Sequence, residues 1–273
     1  MNDILSVQGI FMRFGGVMAL SNVTGEVANN TVTSIIGPNG AGKTTLINVI
    51  SGAFAPTRGE VLFQGQTITG LPPHKVAERG IARTYQNLRL FRHMTALENV
   101  MVARHIKTSS GFVACALKLP SSRRDEQITR IRATEYLDFV GLADKAHVDA
   151  LSLPFGYQRH LEIARALALE PQLLLLDEPA GGLNPQETAG LAELICRIRD
   201  KGITVVLIEH DMSLVMEVSQ YILVLNYGRK IAEGTPKAIQ ENEEVIEAYL
   251  GKSTEDDAGA QATTRDVADA GSS

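Results

Sequence analysis

The chain has no tryptophan, only two cysteines and no excess of basic charge. Cys115 and Cys196 lie far apart and outside any C-x-x-C pattern. That excludes a disulfide framework and a cysteine-rich zinc site, and it fits reduced thiols in a cytoplasmic protein. Basic residues number 26 against 31 acidic, a net charge of −5. A protein that wraps nucleic acid carries a basic surplus, so no nucleic-acid partner is expected. No uninterrupted apolar run approaches the ~20 residues that span a bilayer. The opening Met1-Asn2-Asp3-Ile4 has an acid where a secretory signal has a basic run. If the protein works at a membrane, other chains must span it. What is present is an apolar fraction of 44 % over 273 residues, enough for a sizeable core in one generous domain or two small ones.

Residues 1–30 alternate apolar and polar in short runs, which predicts half-buried strands. Thr31 to Ile36 is a β-branched run, read as a buried strand that ends at Gly37, where a glycine-rich loop opens. The chain continues as helix from Leu46 to Ile50. A second buried strand is Leu173 to Leu176, ending on Asp177, and a third is Ile203 to Ile208, ending on Glu209-His210. A helical stretch, Gln186 to Asp200, lies between them. Strand, helix, strand predicts an α/β fold with a parallel-sheet core. Such sheets bind ligands at the carboxyl ends of their strands. Residues 88–165 read as mostly helical. Within them the apolar island Gly111 to Leu117, followed by Arg123-Arg124, is expected to pack inside the protein, with contact to a membrane partner as the other reading. From Lys252 onward the chain holds five acids, two bases and no aromatic, leucine or isoleucine. It is expected to be a disordered acidic tail, residues 252–273.

Gly37-Pro38-Asn39-Gly40-Ala41-Gly42-Lys43-Thr44 matches G-x-x-x-x-G-K-[ST]. Glycines let the backbone curl so that several N–H groups converge on phosphate oxygens, and the helix that follows adds its positive end. Lys43 is expected to meet the β- and γ-phosphates, and the Thr44 hydroxyl to ligate Mg²⁺. Thr45 completes the expected nucleotide-binding run. At the end of the second strand Asp177 is expected in the Mg²⁺ shell. Glu178, one residue on, reaches the attacking water as general base or orienting group. Together the two motifs read as a P-loop NTPase.

With these elements in this order the chain resembles the ABC ATPase family over nearly its whole folded length, residues 1–251. The resemblance implies a cassette with an N-terminal antiparallel β part and a helical subdomain at approximately 88–165. Gln86, in Arg83-Thr84-Tyr85-Gln86, stands at the family's Q-loop, which links Mg²⁺ and the γ-phosphate to the membrane subunits. His210 stands at the switch-histidine position, in contact with the γ-phosphate and the attacking water. Phe14 stands where the family's aromatic stacks on adenine, which favours ATP over GTP. In the family two ATPase subunits sandwich ATP, and the signature of one, usually L-S-G-G-Q, completes the site of the other. Here the matching residues are Leu153-Pro154-Phe155-Gly156-Tyr157, of which only Leu153 and Gly156 agree. Pro154 offers neither hydroxyl nor N–H. Gly156 retains its N–H, the helix behind it retains its positive end, and proline suits the first turn of a helix. Assembly by helix dipole and backbone is the expectation, with Ser152 reaching in as the other route. Asn184 stands where the family usually has aspartate, and keeps a hydrogen-bonding role across the dimer.

Three stretches resemble in particular the ATP-binding subunit of branched-chain amino acid importers: Ala82 to Phe91 with Met94-Thr95, Pro179 to Pro185, and Ile208 to Met212 with Leu214-Val215-Met216. So does the end of the folded part, Ile246 to Gly251. That branch implies transmembrane permease subunits, a second ABC ATPase subunit and, indirectly, a periplasmic substrate-binding protein. It implies a peripheral place on the cytoplasmic face of the inner membrane. It also includes importers of other amino acids and amides, so the cargo stays open. Against a soluble ABC ATPase of translation or DNA repair stand the single cassette and the about 130 residues between the two motifs, too few for long coiled coils. A small GTPase would need an N-K-x-D motif, which is absent. A non-hydrolysing regulator with a degenerate signature is the third alternative, and a measured ATPase rate separates it.

Overall fold

The alternating N-terminal segment forms two long strands, β1 (Asp3–Phe14) and β2 (Val17–Ala28), paired as an antiparallel hairpin with several register shifts. The computed structural model describes residues 3–86, 88–104 and 120–249, with the backbone alone of residues 120–124. The expectations for Gly111 to Leu117, for the Arg123-Arg124 side chains, for Leu250-Gly251 and for the tail 252–273 therefore lie outside the described residues, as do Asn87 and Cys115. Cys196 is a free thiol.

After β3 (Val32–Ile36) the chain crosses the glycine-rich loop into α1 (Lys43–Ile50). It then returns through β4 (Arg58–Phe63) and β5 (Gln66–Thr67), which complete a four-stranded antiparallel sheet in the order β2-β1-β4-β5. A short helix, α2 (Pro73–Glu78), leads to β6 (Ile81–Arg83). The stretch read as mostly helical contains α3 (Ala96–Arg104), α4 (Pro120–Phe139), two 3₁₀ turns and α5 (Phe155–Leu167). Then follow β7 (Leu173–Asp177), α6 (Pro185–Asp200), β8 (Thr204–Ile208), α7 (Met212–Val218), β9 (Tyr221–Asn226), β10 (Arg229–Gly234) and α8 (Pro236–Gln240). Residues 243–249 are helical as well.

The second sheet has six strands in the order β10-β9-β3-β8-β7-β6. Strands β9, β3, β8, β7 and β6 are parallel, and β10 is an antiparallel edge. Every residue of β3, β7 and β8 is buried. That is why these strands read as unbroken apolar runs rather than alternating ones. Successive side chains of a strand face opposite sides of its sheet. Leu174, Leu176, Val205 and Leu207 accordingly join the core shared with α3, α4, α5 and α6. Leu173, Leu175, Val206 and Ile208 join the core shared with α1 and the antiparallel sheet. A third, smaller core gathers Ile36, Val215, Ile222, Val224, Ile239 and Val245 under the C-terminal helices. Among the described residues no helix is long and apolar enough to cross a membrane.

Candidate nucleotide site

The site stands at the carboxyl ends of β3, β7 and β8. The loop from Gly37 to Gly42 turns back on itself because two of its glycines hold positions no other residue fits. Gly37 has φ 147°, and a Cβ there would lie 2.0 Å from the Leu225 carbonyl oxygen. Gly42 has φ 101° and immediately precedes α1; a Cβ would lie 2.8 Å from Leu20 Cδ2 and 2.9 Å from the Ala19 oxygen. The loop thus lies directly against β2 and β9, with the open N-terminal turn of α1 beside it. Lys43, the first helical residue, is 6 % exposed, and its ammonium donates to the carbonyls of Gly37 (2.6 Å) and Pro38 (3.1 Å). A cleft of about 450 Å³ opens here, lined by Asn39 to Thr45, by Glu178, by Val17 to Ala19 and by Tyr227-Gly228.

Asp177 and Glu178 part company at the end of β7. Asp177 is buried, with its Oδ2 2.7 Å from Arg83 Nη2. Arg83 also donates to Asn48 Oδ1 (2.6 Å) and Ser51 Oγ (2.9 Å), tying β6, α1 and β7 together. Glu178 turns out of the strand with φ 48°, a left-handed backbone that costs a non-glycine residue ~1–3 kcal/mol and recurs at functional sites. Its amide donates to the Ile208 carbonyl at 2.9 Å, and the residue lines the cleft. Gln86 Nε2 donates to Glu178 Oε2 at 2.7 Å, so two of the three expected catalytic side chains are in direct contact.

His210 follows β8, where Ile208 pairs with Asp177, so it stands beside the Asp-Glu pair. Its ring is exposed, and Nδ1 lies 3.8 Å from Glu209 Oε2. Glu209 is fully buried and accepts from the amides of Ala180 (2.7 Å) and His210 (3.0 Å); burial pushes its carboxyl up, against those hydrogen bonds. Phe14 ends β1, half-exposed, with its ring edge-on to Phe54 at a centroid distance of 5.3 Å. It is not one of the residues lining the cleft, but its cross-strand partner Val17 is.

The divergent signature is organised by its own chain. Pro154 caps α5 from outside, one residue before the first turn where proline was expected, with φ −51° and ψ 150°. Gly156 is buried, and a Cβ on it would lie 2.6 Å from Glu187 Oε1. Glu187 and Asn184 form a reciprocal cap on α6: the Asn184 side chain accepts from the Glu187 amide (3.0 Å), and Glu187 accepts from the Asn184 amide (2.9 Å). Asn184 therefore has a helix-capping role within its own chain. Ser152 ends a 3₁₀ turn and is exposed.

Sequence reasoning missed Arg83 and two buried charges on α5. Arg159 donates to the carbonyls of Gln86 (2.9 Å) and Tyr85 (3.2 Å), while Glu162 accepts from the Tyr85 amide (3.1 Å). The signature helix thereby grips the backbone of the Gln86 segment. Burial raises the Glu162 carboxyl, opposed by the Tyr85 amide and Arg159. The available signal was a pair of opposite charges three residues apart on the apolar face of an amphipathic helix.

A strand, a glycine-rich phosphate loop, a helix and an Asp-Glu pair at the end of the next strand but one in the same sheet define a P-loop nucleotide-binding protein. The model of the ABC transporter family matches residues 20–181, so the chain belongs to that family. A second model, described as branched-chain amino acid ATP-binding cassette transporter, matches residues 229–254. The chain is 48 % identical over 250 residues to the high-affinity branched-chain amino acid transport ATP-binding protein BraF of Pseudomonas aeruginosa, covering 91 % of this chain and 98 % of that protein. It is 47 % identical, at the same coverage, to LivG of Escherichia coli K12, which carries the same description. Among solved structures it resembles the ADP conformation of MJ1267, an ATP-binding cassette of an ABC transporter, with a TM-score of 0.80 and 31 % identity over 92 % of this chain and all of that one.

Proposed function

We propose that this chain is the ATP-binding and ATP-hydrolysing subunit that powers an importer of branched-chain or related amino acids. The observation that carries the cargo class is the likeness along 91 % of the chain to two branched-chain amino acid transport ATP-binding proteins, reinforced at residues 229–254. The observation that supports hydrolysis is that Glu178 lines the same cleft as Lys43 and Thr44.

The loop amides and Lys43 hold the triphosphate, and Phe14 meets the adenine. Glu178 takes a proton from water as the water oxygen bonds the γ-phosphorus and the bond to the bridging oxygen breaks, releasing ADP and phosphate. His210 and Gln86 orient that water. Mg²⁺ suits the hard oxygen donors of Thr44, Asp177 and Gln86, and when bound it neutralises charge on the phosphates. Gly156 and the N-terminal end of α5 complete the site of a second ATPase subunit. Arg159 and Glu162 make α5 and the Gln86 segment move together, which gives the helical subdomain a mechanical link to the permease subunits. The cytoplasmic face of the inner membrane, opposite a periplasmic substrate-binding protein, is where such a subunit works.

The test is a pull-down of tagged Glu178→Gln protein with ATP from detergent-solubilised native membranes. Co-purification of multi-spanning permeases and a second ATPase is expected. Recovery of soluble partners alone would remove transport from the function.

A further inference from the structure

The roles above use the phosphate side of the cleft and the tip of β1. Another part of its rim has no role yet. It is formed by Val17 and Met18 of β2 and by Tyr227 in the turn between β9 and β10, which line the same cleft as Lys43 and Thr44. These apolar and aromatic side chains are 69 %, 50 % and 72 % exposed. Phe14, the cross-strand partner of Val17, and Phe54, packed on Phe14, are exposed as well. Exposed apolar and aromatic side chains gathered along a cleft are what a binding surface presents.

The backbone singles out Tyr227 within it. Asn226 pairs with Arg229, so β9 and β10 are joined by two residues, Tyr227 with φ 44° and Gly228 with φ 74°. Such a turn favours asparagine, aspartate or glycine at both places. Gly228 has a local reason, since a Cβ there would lie 2.5 Å from the Ala19 oxygen. A tyrosine in the left-handed region, mostly exposed, is against the turn's own preference, and strain of that kind collects at ligand clamps. The turn is also fastened to the phosphate loop. The Gly228 amide donates to the Ala41 carbonyl (3.0 Å), and the Ser21 amide donates to the Gly228 carbonyl (2.8 Å). The backbone that carries Tyr227 thus holds a fixed place relative to the phosphate loop.

We propose that Tyr227, seated with Val17 and Met18, packs its ring on the purine base of the nucleotide and is a specificity-determining residue of this ATPase. The proposal rests on the reading of the cleft as the ATP site. Because the chain has no tryptophan, Tyr227→Trp places a single indole at the proposed contact. ATP is expected to quench its emission saturably, whereas magnesium tripolyphosphate, which fills the phosphate loop without a base, is expected to leave it unchanged. In calorimetric titration Tyr227→Asn is expected to weaken ATP binding at least about fivefold, the least effect of losing one base–aromatic stack. Tripolyphosphate affinity stays at the wild-type value, and Tyr227→Phe retains ATP affinity. Asparagine suits the turn, so urea unfolding of Tyr227→Asn is expected at or above the wild-type midpoint, which separates lost binding from lost folding. Wild-type ATP affinity in Tyr227→Asn, or equal loss of ATP and tripolyphosphate, overturns the proposal. Lys43→Ala is the control: ATP binding that survives it refutes the cleft as the ATP site, and ATP binding lost in Lys43→Ala but unchanged in Tyr227→Asn refutes only the base contact.

Discussion

Replacing Arg83 by methionine removes one partner of the buried ion pair beside the cleft and keeps most of the side-chain volume. The Arg83 and Asp177 side chains are 8 % and 3 % exposed and 2.7 Å apart, so solvent screens them little. The change leaves the Asp177 carboxylate without its cation and takes a donor from Asn48 and from Ser51. Stranding one member of a buried pair costs about 3–5 kcal/mol. For a domain of this size each kcal/mol lowers Tm by roughly 2–4 °C, so a fall of about 6–20 °C is expected. The double variant Arg83→Met/Asp177→Asn removes the stranded charge and is expected to recover most of the loss, since replacing both members of such a pair is often close to neutral. Urea and thermal unfolding of wild type, both single variants and the double variant make a cycle that isolates the pair. A loss under about 1 kcal/mol in Arg83→Met, or a double variant no more stable than Arg83→Met, refutes the claim that this pair braces the strand end.

Glu178→Gln is expected to bind ATP and to lose about 10²–10⁴-fold in turnover, read by phosphate release; wild-type turnover sinks its assignment as the base. Gly156→Ala drives a Cβ into Glu187, and is expected to cost about 1 kcal/mol as the cap on α6 is disturbed. In a Glu187→Ala background that extra cost should vanish, measured by urea midpoints. Burial lowers the pKa of His160, opposed by its contact with the Val140 carbonyl and by Glu187. The folded value lies below the unfolded value of about 6.5, so the neutral ring is favoured in the fold. Its contribution is whole above about pH 6.5 and is lost as pH falls through the folded value. Glu162 and Glu209, with raised values, act in the opposite sense and are common to wild type and variant. His160→Gln should therefore lose less stability than wild type between about pH 7.5 and pH 5.5; equal losses would refute the burial argument.

The strands that carry the site were legible because each is buried on both faces and ends on a chemically distinctive residue. Val32 to Ile36 runs into Gly37, Leu173 to Leu176 into Asp177-Glu178, and Thr204 to Ile208 into Glu209-His210. β6, β9 and β10 drew no expectation: three residues set no period in β6 and β10 mixes apolar and charged positions, whereas β9 holds a buried apolar run, Ile222 to Leu225, of the same kind as β7. Asn184 carries a helix cap within its own chain that the resemblance did not point to, formed with Glu187 three residues on.

The amino-acid sequence by itself determined the phosphate loop, the Asp-Glu pair and the parallel core. Backbone freedom at Gly37 and Gly42, helix onset at Lys43 and the apolar runs are all encoded within a few neighbouring residues. Tertiary structure alone decided which charge meets which. Arg83 and Asp177 are 94 residues apart in the chain, Gln86 and Glu178 are 92 apart, and Arg159 reaches the Gln86 carbonyl across 73. A buried polar group must find a partner, but any of many such groups would satisfy it. Only strand order and helix packing determine which one stands within hydrogen-bonding distance.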